Sequence, residues 1–91
     1  MSREEIEEFI EGTGSPVWEQ EQLLPGIDNG FVGWDDWNDR PIYDWDLCHR
    51  GLIKKGRTKE DAESHLNQLK EQGEDLALAG EYEPPLFIMT P

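Results

Sequence analysis

The chain has a single cysteine, Cys48, in 91 residues. One thiol excludes an internal disulfide and a zinc site built from cysteines alone, and it suits a reducing cytoplasm. Basic residues are scarce as well. Eight Lys and Arg stand against twenty-one Asp and Glu, for a net charge of −13. No apolar run approaches the roughly 20 residues that a membrane-spanning helix needs. The acidic start lacks the basic-then-apolar layout of a signal peptide. The sequence holds no phosphate-binding glycine loop and no nucleophile elbow. These absences lead to the expectation of a soluble cytoplasmic protein that is not an enzyme, takes no cofactor and contacts no membrane.

The charge is uneven. Residues 1–50 carry thirteen acids and three bases, and residues 51–91 carry eight acids and five bases. The bases that do occur gather as Arg50, Lys54, Lys55, Arg57 and Lys59. Such a chain repels nucleic acid and attracts basic partners. At this length the expectation is one small domain over 1–91, with a helical N-terminal arm over 1–15 and an α+β core over 30–89. A homodimer would help so small a core. The apolar candidates for that core are Ile6, Phe9, Ile10, Trp18, Leu23, Leu24, Phe31, Val32, the central aromatics, Leu47, Leu52, Ile53, Leu66, Leu69, Leu76, Leu78, Leu86, Phe87 and Ile88.

Ser2-Arg3-Glu4-Glu5 has the form of a capping box. Ile6, Phe9 and Ile10 then share one face of a short helix, which Gly12 to Pro16 stops. Val17–Leu24 reads as a helical turn or an extended segment that packs Trp18 down. Pro25-Gly26 and Asn29-Gly30 are turn signals. Phe31–Trp34 has strand composition, and Pro41 keeps Arg40 extended at the start of a second strand. Asp44 caps a helix from Trp45 to Lys55, with Leu47, Cys48, Gly51 and Leu52 as its buried stripe and Gly56 as its stop. Thr58 caps the next helix, whose stripe is Ala62, Leu66 and Leu69 and whose end is set at Gly73. Gly56-Arg57-Thr58 is short enough to join the two as a hairpin. Pro85–Met89 reads as a last strand, apolar on both faces.

The densest stretch is Gly33–Asp46, which holds three of the four Trp, one of the two Tyr and five carboxylates. Two uses fit this mixture. The aromatics pin a small core while the acids face water, or the stretch faces a partner, with aromatics as anchors and carboxylates spaced like phosphates. On the second reading the partner-binding residues are Trp34, Asp35, Asp36, Trp37, Asp39, Tyr43, Asp44 and Trp45, and exposure of Trp34 and Trp37 separates the two readings. A calcium loop does not fit. Counting from Asp35, the third position is Trp37 and the sixth is Arg40, where a ligand and a glycine are required. Cys48-His49 is no metal or nucleophile pair either, because neighbours on a helix point about 100° apart.

Phe31-Val32-Gly33, Pro41-Ile42-Tyr43-Asp44-Trp45-Asp46-Leu47-Cys48, Gly56-Arg57-Thr58 with Glu60-Asp61-Ala62, and Gly80-Glu81 with Pro85-Leu86-Phe87 form a series of short motifs. Together they resemble small uncharacterised proteins of tailed bacteriophages, which carry F-x-G, V-Y-D-Y-x-x-C, G-M-T-x-E-E-A and G-E-x-T-P-x-F in that order. The resemblance spans residues 31–88. Arg57 replaces the usual Met, and the aromatic-plus-Asn pair near the end of the last helix is missing. The resemblance implies a phage origin, hence a host-cell cytoplasm, and implies no activity.

The expected fold class is α+β, a two- or three-stranded sheet from 30–34, 40–43 and 85–89 packed on a helical hairpin over 45–72. The expected function is an acidic interaction protein that blocks the basic surface of a host nucleic-acid-binding protein or nuclease, without binding nucleic acid itself. The alternative is a structural or assembly accessory protein, homodimeric in one version, whose acidity serves solubility only.

Overall fold

The computed structural model describes residues 2–13 and 22–89. Among these residues the chain forms three helices and a three-stranded sheet, the α+β class expected. Gly14–Pro16, Val17 and Trp18 lie outside the described residues.

Helix α1 (Arg3–Gly12) begins at the capping box. Ser2 Oγ accepts the Glu5 amide at 3.3 Å, and the Glu5 carboxylate accepts the Ser2 amide at 3.2 Å. Ten residues do not hold a helix in water unaided, so packing must do so. Ile6 and Ile10 are fully buried in the main core, and Phe9 meets Phe31 edge to face at 5.9 Å. The N-terminal helix thus packs on the core through the apolar face expected of it. Each buried Ile contributes about 1.5–3 kcal/mol.

Strands β1 (Phe31–Asp35) and β2 (Arg40–Asp44) form an antiparallel hairpin, and β3 (Leu86–Ile88) lies parallel to β2 on its other side. A parallel neighbour requires a long crossover. Helices α2 (Trp45–Lys54) and α3 (Lys59–Gly80) supply it. The hairpin register slips between Phe31 and Gly33, so Val32 and Gly33 both oppose Ile42. This bulge lets Phe31 and Trp34 both point into the core although they are three residues apart. On β2, Pro41 and Tyr43 point inward while Ile42 points outward. Phe87 stacks on Tyr43 at 5.6 Å and meets Trp45 edge to face at 5.4 Å.

Asp44 Oδ1 accepts the Leu47 amide at 3.1 Å and starts α2. The buried side of α2 is Cys48, Gly51 and Leu52. Leu47 is one position off that stripe and is exposed, as is Ile53, which corrects both as core residues. The turn Asp28–Gly30 seats against α2, with the Asn29 amide donating to Leu47 O at 2.9 Å. A Cβ at Gly30 would overlap Cys48 Sγ, so only glycine permits this approach.

Helix α2 ends with the Arg57 amide on Leu52 O and the Gly56 amide on Ile53 O, a Schellman stop. Thr58 Oγ1 accepts the Asp61 amide at 3.1 Å and starts α3. Helix α3 does not stop at Gly73 but runs on to Gly80. Gly73 continues the buried stripe of Ala62, Leu66, Leu69 and Ala77, and side-chain atoms of Leu24 and Pro85 lie 3.3 Å from where its Cβ would stand. Glycine costs about 1 kcal/mol relative to alanine inside a helix. Here close packing offsets that cost.

Phe9, Val32, Leu76, Leu78 and Ile88 are exposed where burial was expected. Strand β3 packs on the core by one face only, through the half-buried Phe87. Ile27, fully buried in a turn-rich segment, joins the core without any periodic pattern to announce it.

Candidate partner-binding surface

The structure divides the eight residues of the aromatic and acidic stretch into interior and surface. Tyr43 has no exposed area, and its hydroxyl accepts the buried Leu24 amide at 3.0 Å. Burial pushes its phenol up to about 12. Tyr43 therefore cannot anchor a partner, and this corrects its place in the predicted set. Trp34 is only 7% exposed, and its indole Nε1 has no hydrogen-bond partner among the described residues. It too belongs to the core. Trp45 is half-buried against Phe87. Asp44 is committed to capping α2.

Trp37 is the opposite case. It stands 94% exposed at the tip of the β1–β2 hairpin. The turn beneath it is fixed by Asp35, whose carboxylate accepts the amides of Trp37 (3.0 Å) and Asn38 (3.4 Å), the Asn38 side chain (2.9 Å) and Arg40 Nε (2.9 Å). The Asn38 amide, with the Arg40 guanidinium behind it, holds the Asp35 carboxyl below its ordinary value. Asp35 is thus the keystone of the turn, while Asp36 and Asp39 are exposed beside Trp37. Asp39 closes the turn in the left-handed region, at φ 50°, and its carbonyl accepts Gln22 Nε2 at 2.6 Å.

The fold brings further acids to this end of the molecule. A cavity of about 440 Å³ lies between the hairpin tip and the end of α3, lined by Gln22, Asn38, Asp39, Gly80, Glu81, Tyr82 and Glu83. Among the described residues no Lys or Arg lines it, and the last turn of α3 carries no base. The partial negative charge of that helix end adds to the carboxylates. Glu81 and Glu83 were missed from sequence because they lie some forty positions from the hairpin and read only as a turn.

The basic cluster is largely occupied by local partners. Arg50 pairs with Asp46 and Arg57 with Asp61, both at 2.9 Å, and Lys55 Nζ donates to Gly26 O at 2.9 Å. His49 Nε2 lies 3.0 Å from Lys59 O and ties the two hairpin helices together. Cys48 is fully buried, and burial, with Asp44 nearby, pushes its thiol up to about 12. It is a protonated packing residue at neutral pH. Among the described residues no three His, Cys, Asp or Glu side chains gather as a metal ion would need, and no helix is long and apolar enough to cross a membrane. No protein-family model, curated protein or solved structure matches this chain.

Proposed function

We propose that the protein is an acidic interaction module that occupies the basic surface of a nucleic-acid-binding protein or nuclease and thereby competes with nucleic acid. The observation that carries this reading is Trp37, an indole 94% exposed on a turn that four hydrogen bonds to the Asp35 carboxylate hold in shape. Tryptophan dominates binding hot spots, and a fixed turn lowers the entropy lost on docking. Asp36 and Asp39 flank it, and the molecule as a whole carries −13. That field speeds encounter with a basic surface and makes association sensitive to salt. The resemblance to small phage proteins fits this role, since a host nuclease is a suitable target for a phage product.

The test is capture of proteins from nuclease-treated bacterial lysate on the tagged full chain, with elution in rising salt. The expected result is one nucleic-acid-binding protein that added DNA or RNA displaces and that Trp37→Ala fails to retain. Retention of nothing at low salt, or equal retention by Trp37→Ala, would defeat the reading.

A further inference from the structure

Every arginine of the chain has a carboxylate of the same chain as its partner. Arg3 meets Asp28 at 3.5 Å, and Arg40, Arg50 and Arg57 meet Asp35, Asp46 and Asp61 at 2.9 Å. The hairpin tip is the reverse case. Asp36 is exposed and makes no ion pair or hydrogen bond among the described residues. Trp37, next to it, has no ring and no cation of the described residues against its indole. The Asp35 carboxylate does not compete for an incoming cation, because Trp37, Asn38 and Arg40 already fill it. One free carboxylate and one free indole therefore stand side by side on a turn whose backbone is fixed.

We infer that Asp36 and Trp37 receive one arginine side chain of the partner, an inference that rests on the function proposed above and names the group that the hairpin tip recognises. A guanidinium is flat, always charged and weakly hydrated, so it stacks on an indole face while its N–H fork donates to a carboxylate. Consecutive Cα atoms lie about 3.8 Å apart, so one guanidinium serves both side chains. A lysine ammonium is a compact, strongly hydrated point charge and gains less from the same pair. Arginine is also the residue that holds phosphate in a bidentate grip, so its capture here removes a nucleic-acid contact from the partner. A second copy is a poor occupant. It brings the same charge of −13 and no arginine without a carboxylate of its own.

The test uses the full chain and two short labelled peptides of equal charge, in which Gly and Ser space Arg in one and Lys in the other. Binding is measured by fluorescence anisotropy at about 0.15 M salt, where surface charge alone is largely screened. The Arg peptide should bind at least about threefold tighter than the Lys peptide. Trp37→Leu keeps apolar bulk and loses the aromatic face, and it should bind the two peptides equally. Asp36→Asn should weaken the Arg peptide by at least about threefold. Glu63→Gln removes the same charge at the opposite end of α3 from the hairpin tip and should weaken it by less than about twofold. Residues 36, 37 and 63 are all exposed, so none of these substitutions touches the core. Equal affinity of the wild type for the two peptides, a preference that survives Trp37→Leu, or an Asp36→Asn that behaves like Glu63→Gln overturns the inference. So does sedimentation of the free chain as a dimer that Trp37→Leu dissociates, since a second copy would then cover the indole. If lysate capture depends on Trp37 but the peptides are not distinguished, the proposed function stands and the arginine assignment falls. If the peptides are distinguished but the lysate yields no partner, the proposed function falls and the arginine assignment stands.

Discussion

Replacing Tyr43 by Phe isolates one atom at the centre of the fold. The phenyl ring would keep its stack on Phe87 and its edge contact with Phe31 at 5.9 Å. Only the hydroxyl goes, and with it the acceptor 3.0 Å from the Leu24 amide. Leu24 is buried, so its N–H would be left without a partner. Stranding a buried donor costs about 1–3 kcal/mol. In a domain of this size each kcal/mol lowers Tm by about 4–8 °C. Urea unfolding followed by tryptophan fluorescence measures the loss, and an unchanged m-value would show that the two end states are the same. Partner capture should be unaffected, because Tyr43 has no surface to offer. A midpoint equal to wild type would refute the reasoning, since it would mean that the Leu24 amide does not depend on this hydroxyl.

Three further predictions follow from the same core. Ile10→Ala should cost about 2–5 kcal/mol in urea unfolding, because a fully buried side chain on α1 leaves a cavity; a loss below about 1 kcal/mol would show that α1 does not pack on the core in this way. Gly30→Ala should destabilise by about 1–3 kcal/mol, as its methyl meets Cys48 Sγ and the α2 backbone, and unchanged stability would show that the turn does not seat there. Burial raises the Cys48 thiol from 9.0 and the Tyr43 phenol from 10.0, each to about 12. Both groups are neutral when protonated, so their burial costs nothing below the unfolded values, and stability falls as pH climbs from 9 towards 12 at about 1.4 kcal/mol per unit per group. Cys48→Ala should move the onset of that loss towards pH 10, and an onset that stays put would contradict the assignment.

The parts of the fold governed by local rules were legible in the sequence. Ser2, Asp44 and Thr58 cap the helices they were expected to cap, and Gly56 ends α2. What failed were inferences from a residue type whose role depends on distant neighbours. Gly73 looked like a stop because glycine often is one, yet it is the point where Leu24 and Pro85 press on α3. The bulge at Val32 breaks the period of two, so counting along the strand could not show that Phe31 and Trp34 share a face. The candidate site shows the same limit. Four aromatics within a dozen residues look alike as letters, but Tyr43 and Trp34 point into the core, Trp45 leans on Phe87, and only Trp37 is left to solvent. Asp35 reads as one more surface acid until Asn38 and Arg40 are seen to close on it.

The claim that Trp37 is the anchor is tested most directly by equilibrium binding of the wild type and Trp37→Ala to the purified lysate partner at physiological salt. A hot-spot tryptophan predicts a loss of at least about 2 kcal/mol, roughly thirtyfold in Kd, with no change in the stability of the free chain. A loss of less than about twofold would place the binding energy elsewhere and contradict the account.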